Sequence, residues 1–245
     1  MTHLIIPHNY GYRQLDRWTI VLEQEGPDVT SVYLTGKKLD QFNFEPGQFA
    51  IINFLDRRFF SPHPFSFSAA PNGEYLRFSI RKSGDFTDHI SELKVNTPVI
   101  IDGPLGIFTP KTSAKNKFLF IAGGIGITPI MAMGEALSKN DPDVVLLYAN
   151  RLPSNIIFKT ALEKLKLKIF YFISDSPGPY PGPNYEYGRI GKQKIAALVP
   201  DFLEREIYVC GPPPMLNSVI KSLRELGVRP AQVHYEKFEL SATTH

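Results

Sequence analysis

Two periodicities divide the chain near its middle. In the first half, short runs at residues 17–25, 29–35, 48–54, 64–70, 74–81 and 98–102 are rich in β-branched and aromatic residues and bounded by turn signals, the pattern of half-buried strands. Gly26-Pro27, Glu45-Pro46-Gly47, Pro71-Asn72-Gly73 and Gly103-Pro104 punctuate them, and one helical segment is expected over 87–93. Six short strands at this spacing predict a six-stranded antiparallel β-barrel. In the second half, apolar runs at 118–122, 144–149, 168–174 and 207–210 alternate with helix-length stretches at 129–138, 156–165, 191–199 and 215–226. Strand–helix alternation implies right-handed crossovers and a doubly wound α/β domain with a parallel sheet. The polar stretch 111–117 marks the joint. The expected organisation is a tail over 1–16, the barrel over 17–113 and the α/β domain over 114–245.

Composition narrows the partners. With 245 residues there is room for two modest domains, and 21 prolines suit turns and barrel corners better than a helical bundle. Lys and Arg number 27 against 24 Asp and Glu, without a long block of one sign, so nucleic acid is not an expected partner. The single cysteine, Cys210, excludes an internal disulfide, a Cys-based zinc site and a four-thiolate cluster. The six histidines lack metal-ligand spacing, so no metal is expected. The apolar stretch 118–133 is too short to span a bilayer and is broken by Gly123, Gly124, Gly126 and Pro129. With no signal-peptide pattern at the N-terminus, the expectation is a chain in the cytoplasm, either free or at the cytoplasmic face of a membrane, without a transmembrane segment of its own.

The strongest local signal is AGGIGITP at 122–129, directly after an apolar strand and before a helix. Glycines let backbone approach a ligand closely, and a helix start offers unpaired N–H groups with positive dipole character, which suits a pyrophosphate. Gly123, Gly124, Gly126, Ile127, Thr128 and Pro129 are therefore candidate nucleotide-binding residues, with Thr128 the expected helix cap and Pro129 in the first turn. An ordinary dinucleotide fold would end its next strand on a carboxylate for the ribose. Here that strand ends Tyr148-Ala149-Asn150-Arg151, which disfavours a standard dehydrogenase.

Six motifs in order, HPFS (63–66), GDFT (84–87), DGPLG (102–106), AGGIGITP (122–129), CGPPPM (210–215) and YEKF (235–238), resemble the ferredoxin–NADP reductase superfamily. Within it they resemble the dehydrogenase modules of ferric reductases and NADPH oxidases. The resemblance implies a flavin barrel followed by a pyridine-nucleotide domain, with FAD and NADH or NADPH as cofactors. It places Phe65 as the stacking face for the flavin, Ser66 as the hydroxyl near its reactive nitrogen, and His63 and Pro64 beside the flavin phosphate, where many relatives carry an arginine. Gly84, Asp85, Phe86 and Thr87 would hold the FAD pyrophosphate, with Ile80, Arg81 and Lys82 on the preceding strand. The plainer alternative makes Thr87 a helix N-cap only.

The same resemblance sets Cys210, Gly211, Pro212 and Met215 against the nicotinamide. Cys210 would align hydride transfer and not act as a nucleophile, since no His–Asp pair accompanies it. Glu236 is the nearby carboxylate and Phe238 the aromatic that shields the flavin, although seven residues follow it. Arg151 and Asp175 fall where the adenosine ribose is expected. Asp175 favours NADH, because a carboxylate repels a 2′-phosphate, while Arg151 and Arg189 could attract one. The implied activity is FAD-dependent NAD(P)H:acceptor oxidoreduction, with single electrons passed to haem, oxygen or ferric iron through a membrane haem segment on the parent chain or a partner. The alternatives are a stand-alone reductase for a separate electron-transfer protein and a redox-inert NAD(P)H sensor.

Overall fold

A computed structural model describes residues 5–8, 11–16, 18–37, 39–59, 61–110, 116–140 and 142–237. The chain opens with β1 (Ile5–His8) and β2 (Gly11–Asp16), an antiparallel hairpin. It continues through β3 (Thr19–Gly26), β4 (Val29–Thr35), β5 (Phe49–Phe54), β6 (His63–Ser66), β7 (Leu76–Arg81), the one-turn helix α1 (Asp85–Asp88) and β8 (Val99–Leu105). Hydrogen bonding arranges these as one sheet in the order β1-β2-β8-β5-β6 and a second in the order β3-β4-β7. The two are stitched by a bridge between Phe67 and Phe78 and by the Ser68 N–H donating to the Arg77 carbonyl at 2.8 Å.

Strand period two fills the space between them. Ala50, Ile52 and Phe54 of β5 are fully buried while Phe49, Ile51 and Asn53 alternate with them, half-buried on the other face. With Val32, Leu34, Phe78, Ile80, Val99 and Ile101 they form one core. All six strands expected from the sequence are present. The additional hairpin lies in the stretch expected to be a tail, and β2 pairs with β8. Pro7 argues against a strand there, yet β1 is the last strand of its sheet, where a missing N–H is tolerated. The helix expected over 87–93 is broken in two, α1 and then a 3-10 turn at Ile90–Glu92.

The second half comprises β9 (Lys117–Gly123), α2 (Ile127–Leu137), β10 (Asp143–Asn150), α3 (Lys159–Lys164), β11 (Lys168–Ile173), β12 (Tyr185–Tyr187), α4 (Lys192–Leu198), β13 (Glu206–Gly211), α5 (Pro213–Glu225) and β14 (Val233–Lys237). Its six strands are all parallel in the order β12-β11-β10-β9-β13-β14. Succession runs outward from β9 in one direction and then resumes on its other side at β13, a topological switch point at which open α/β sheets bind ligands. Alternate strand residues feed two cores. Phe118, Phe120, Leu146 and Tyr148 pack under α2 and α3, whereas Leu119, Ile121, Val145 and Leu147 pack under α4 and α5. The first core also takes in Val29 and Phe108 of the barrel, so the two halves share buried apolar surface.

The amino ends of the central strands are pinned by Arg205, which is only 4% exposed. Its guanidinium meets both carboxylate oxygens of Asp143 at 3.0 and 2.9 Å and both of Asp201 at 2.8 Å, and also donates to the carbonyls of Phe118 and Asp143. Removing one partner from such a network strands the others. Arg205→Ala is expected to lower unfolding free energy by about 3 kcal/mol in urea titrations, a loss under about 1 kcal/mol being incompatible with this role.

Candidate functional site

The carboxyl ends of β9, β10, β11 and β13 converge on a cleft of ≈ 470 Å³. Gly123 and Gly124 line it from β9 and the turn beyond, Asn150 and Arg151 from the end of β10, Ser174 from beyond β11, and Pro212, Pro214 and Met215 from the start of α5. Glycine is required where β9 meets β13. A Cβ on Gly123 would lie 2.3 Å from the Met215 sulfur, one on Gly126 would lie 2.4 Å from the Cys210 carbonyl, and one on Gly211 would lie 3.2 Å from the Gly123 Cα. Backbone fills this junction at Gly126 and Gly211, and the Met215 side chain with the Pro212 ring closes it over Gly123.

Helix α2 begins immediately behind it, with Gly126 as N-cap and no side chain bonding its first amides. Thr128 is therefore not the expected cap. It lies inside the helix, buried, with its hydroxyl donating to the Ile125 carbonyl at 3.0 Å. Gly126, Ile127 and Pro129 are buried beside it. Asn150 is 7% exposed, and neither polar atom of its side chain has a hydrogen-bond partner among the described residues. A buried carboxamide left unpaired on a cleft wall has both a donor and an acceptor for a ligand.

At the cleft mouth the charges are paired. Arg151 Nε lies 2.7 Å from a carboxylate oxygen of Asp175, and the Ser174 hydroxyl donates to the other oxygen at 2.7 Å. The Ser174 hydrogen bond first, then Arg151 and Arg189, hold the Asp175 carboxyl below its ordinary value. Arg189 lines the same cleft.

Cys210 is completely buried on β13, with Ala122 of β9 on one side and Glu236 of β14 on the other. Burial, with Glu236 adding to it, pushes the thiol well above its usual range, so thiolate chemistry is closed to it. Glu236 is pushed up to about 7 by burial, and its Oε2 has no partner among the described residues. Phe238 lies outside the described residues.

On the barrel, β6 carries the HPFS motif. His63 is half-buried, within 2.9 Å of the Ser61 hydroxyl through Nε2, and burial lowers its pKa. Its ring lies 4.1 Å from that of Phe86, and Phe65 stacks on Phe86 at 6.3 Å. Pro64 is exposed and Ser66 buried. Gly84 adopts φ +109 with open space where a side chain would be. Thr87 sits inside α1, whose N-cap is Gly84. Its hydroxyl accepts from the Ser83 N–H at 2.6 Å and donates to the Gly84 carbonyl at 3.3 Å, so the plainer N-cap alternative does not hold. Ile80 points into the barrel core and Lys82 into solvent.

Arg81 pairs with Asp28 at 2.8 Å, lines the cleft, and its Nη1 would lie 3.0 Å from a Cβ on Gly124. The structure thus gathers Gly123, Gly124, Arg151, Pro212 and Met215 around one cleft with Arg81 reaching into it. Phe65, His63 and Phe86 cluster on the barrel edge. Gly126, Ile127, Thr128, Pro129 and Cys210 form buried backing. Asn150, Asn155 and Ser218 also line the cleft and escape motif reasoning. Asn150 occupies the strand end at which a carboxylate was sought, so its position was a usable signal.

Residues 25–109 match the family described as FAD-binding domain and residues 120–221 the family described as oxidoreductase NAD-binding domain. The chain belongs to the ferredoxin–NADP reductase superfamily. It is 27% identical to the stachydrine N-demethylase reductase subunit of Rhizobium meliloti, covering 93% of this chain and 69% of that protein. It is 30% identical to the toluate 1,2-dioxygenase electron transfer component of Pseudomonas putida, covering 94% and 66%. The solved ferredoxin reductase in carbazole 1,9a-dioxygenase superposes with TM-score 0.78 at 25% identity, over 93% of this chain and 70% of that one. Several further curated relatives are spanned over less than two thirds of their length, as with the 61% of a glycine betaine monooxygenase reductase subunit.

Glu236 gives a pH test. Its carboxyl titrates at about 7 in the folded state against an ordinary 4.5, so between those values the folded protein holds the extra proton and stability falls as pH rises. Glu236→Gln removes that slope. Melting curves between about pH 5 and 8 are expected to show the unsubstituted protein losing ~1–3 kcal/mol that the variant keeps, and parallel profiles for the two would contradict the buried acid.

Proposed function

We propose that this chain is an FAD-dependent NAD(P)H:acceptor oxidoreductase with a barrel that takes in the β1–β2 hairpin and runs to about 113, and a nucleotide domain over 114–245. The observation that carries this is the glycine junction of β9 and β13, opening into a cleft that a barrel arginine also enters. The residues fit both cofactors. On the barrel edge Phe65 and Phe86 present aromatic faces to a flat heterocycle, and the open space at Gly84 leaves backbone accessible to a phosphate. In the cleft, Asn150 carries unsatisfied polar atoms. When bound, FAD supplies the acceptor for a hydride from NAD(P)H and lets electrons leave singly.

The chain's own residues bind and orient. Phe65 stacks, Ser66 supplies a hydroxyl, His63 and Pro64 shape the rim, and Gly84, Asp85, Phe86 and Thr87 bring backbone to the FAD pyrophosphate, with Lys82 as the nearby charge. His63 adds no positive charge at neutral pH, because burial favours its neutral form. Gly123 and Gly124 admit the second pyrophosphate, and Pro212 and Met215 form the wall beside the nicotinamide. Gly211 and Cys210 contribute shape. Glu236, titrating at about 7, can hold or release a proton at neutral pH beside that wall. Asp175 meets the ribose hydroxyls and favours NADH, its carboxyl held below its ordinary value by the Ser174 hydroxyl and then by Arg151.

The acceptor is a separate redox protein on this reading. Two of the relatives named above are, by name, a reductase subunit and an electron transfer component, which favours that alternative over a membrane haem module. No helix among the described residues is long and apolar enough to cross a membrane. The 245 residues carry one cysteine, so electrons leave them from the flavin. We place this activity in the cytoplasm, where NADH is available.

Purified protein is expected to be yellow, to bleach on NADH, and to reduce ferricyanide. Remaining colourless with excess FAD would overturn the proposal. Gly123→Val should keep FAD and lose bleaching by NADH at least about tenfold, since its side chain collides with Met215. Phe65→Ala should weaken FAD retention about tenfold, ~1.4 kcal/mol. A preference for NADPH above about tenfold would reverse the NADH assignment. NADH consumption with ferric chelate, oxygen, a haem protein and an iron–sulfur protein in turn identifies the acceptor class.

A further inference from the structure

One barrel side chain grips the nucleotide domain at two separate places. Arg77, the second residue of β7, is 6% exposed. Its Nη2 lies 3.1 Å from Glu135 on α2, and its guanidinium sits 4.7 Å from the centre of the Phe158 ring. Glu135 is itself fixed to the barrel a second time, its Oε2 accepting from the Ala70 N–H at 2.7 Å. Arg77 is in turn held by Ser68, through the hydroxyl at 3.2 Å and through the carbonyl. Behind it runs a chain of hydrogen bonds within the barrel, Ser68 to Ser79 at 2.9 Å, Ser79 to Ser31 at 2.6 Å and Ser31 to Glu25 at 2.7 Å. The arginine therefore cannot drift.

Neither Glu135 nor Phe158 lines the cleft itself, but each sits on an element continuous with residues that do. Helix α2 follows directly on the glycine turn that lines one wall. Phe158 ends the connection that leaves β10 through Arg151 and Asn155, both of which line the cleft. Phe158 is also the one residue other than glycine with positive φ among the described residues, at φ 59 and ψ 15. A bulky side chain in the left-handed region costs of order 1–3 kcal/mol and persists only where its surroundings hold it. Those surroundings are the Arg77 guanidinium and the apolar core around the buried Ile156 and Ile157, with Ile157 against Gly26 of the barrel.

We propose that Arg77 is a positioning residue for the nicotinamide nucleotide, setting the separation of the two cleft walls from the flavin domain. This rests on the cleft being the nucleotide site. Buried ion pairs seldom add net stability over apolar replacements, whereas a guanidinium that bonds one element and lies over an aromatic ring of the other ties the two together.

The test uses full-length, FAD-loaded protein, with hydrogen exchange over 124–137 and 151–158, calorimetric binding of NAD+ and NADP+, and melting temperature. The double variant Arg77→Met with Glu135→Met removes both charges together. It should melt near the unsubstituted protein and keep its FAD, while exchange in both segments rises and nucleotide affinity falls, each by about tenfold. Arg77→Lys keeps the charge for Glu135 but not the plane over Phe158, so exchange should rise over 151–158 and stay low over 124–137. Exchange and affinity unchanged in the double variant, or equal rises in both segments with Arg77→Lys, would overturn the proposal. If the double variant does not fold, the segment split with Arg77→Lys decides alone. Failure of the unsubstituted protein to bind either nucleotide would overturn the underlying site instead, and shows in a different sample.

Discussion

Everything at the site depends on two strand ends meeting without side chains. β9 finishes on Gly123 and β13 on Gly211, and the turn that follows β9 lays Gly126 against the Cys210 carbonyl. One methyl group at any of these positions would occupy space held by backbone or by Met215. Because the sheet reverses its winding between these strands, the gap opens to solvent and is not covered by a crossover helix. Helices α2 and α5 both begin there, so their free amides, the cleft floor and the opening arise from one packing constraint. Arg205 fastens the opposite end of the same strands, leaving one end of the sheet rigid and the other available.

Local pattern carried much of this into the sequence. The six barrel strands, the four central parallel strands and the βα glycine turn are visible because each is written in consecutive residues. Edge strands β12 and β14 were not, since three and five residues with half-exposed sides lack a distinctive alternation. Helix capping misled at Thr128 and, in the plainer alternative, at Thr87. Threonine caps well in general, but here glycines take the capping position and each hydroxyl serves the turn behind it. Arg77 and Glu135 were invisible for another reason. They lie 58 residues apart on different domains, and no periodicity links them.

Electrostatics sorts the remaining candidates. Cys210 and Glu236 are neighbours on adjacent strands, and burial acts on both in the same direction, toward the protonated form. The consequence differs, because a thiol raised above its usual value is inert at neutral pH and a carboxyl raised to about 7 is poised to exchange a proton. His63 is shifted the opposite way by the same cause. That part of the barrel edge thereby stays uncharged, and the arginines of β7 and of the cleft mouth are each set against a carboxylate, Arg77 on Glu135, Arg81 on Asp28 and Arg151 on Asp175.

Strand β7 has six residues and two faces. Leu76, Phe78 and Ile80 enter the barrel core, while Arg77, Ser79 and Arg81 share the other face, from which the two arginines reach Glu135 of α2 and the cleft. Because strand side chains alternate, a slip of one residue would exchange the two sets completely. Two arginines would enter an apolar core and three aliphatic or aromatic groups would be presented to the cleft. Insertions and deletions in this strand are thus far more damaging than substitutions, and the phase of one short strand indexes the chemistry of both domains.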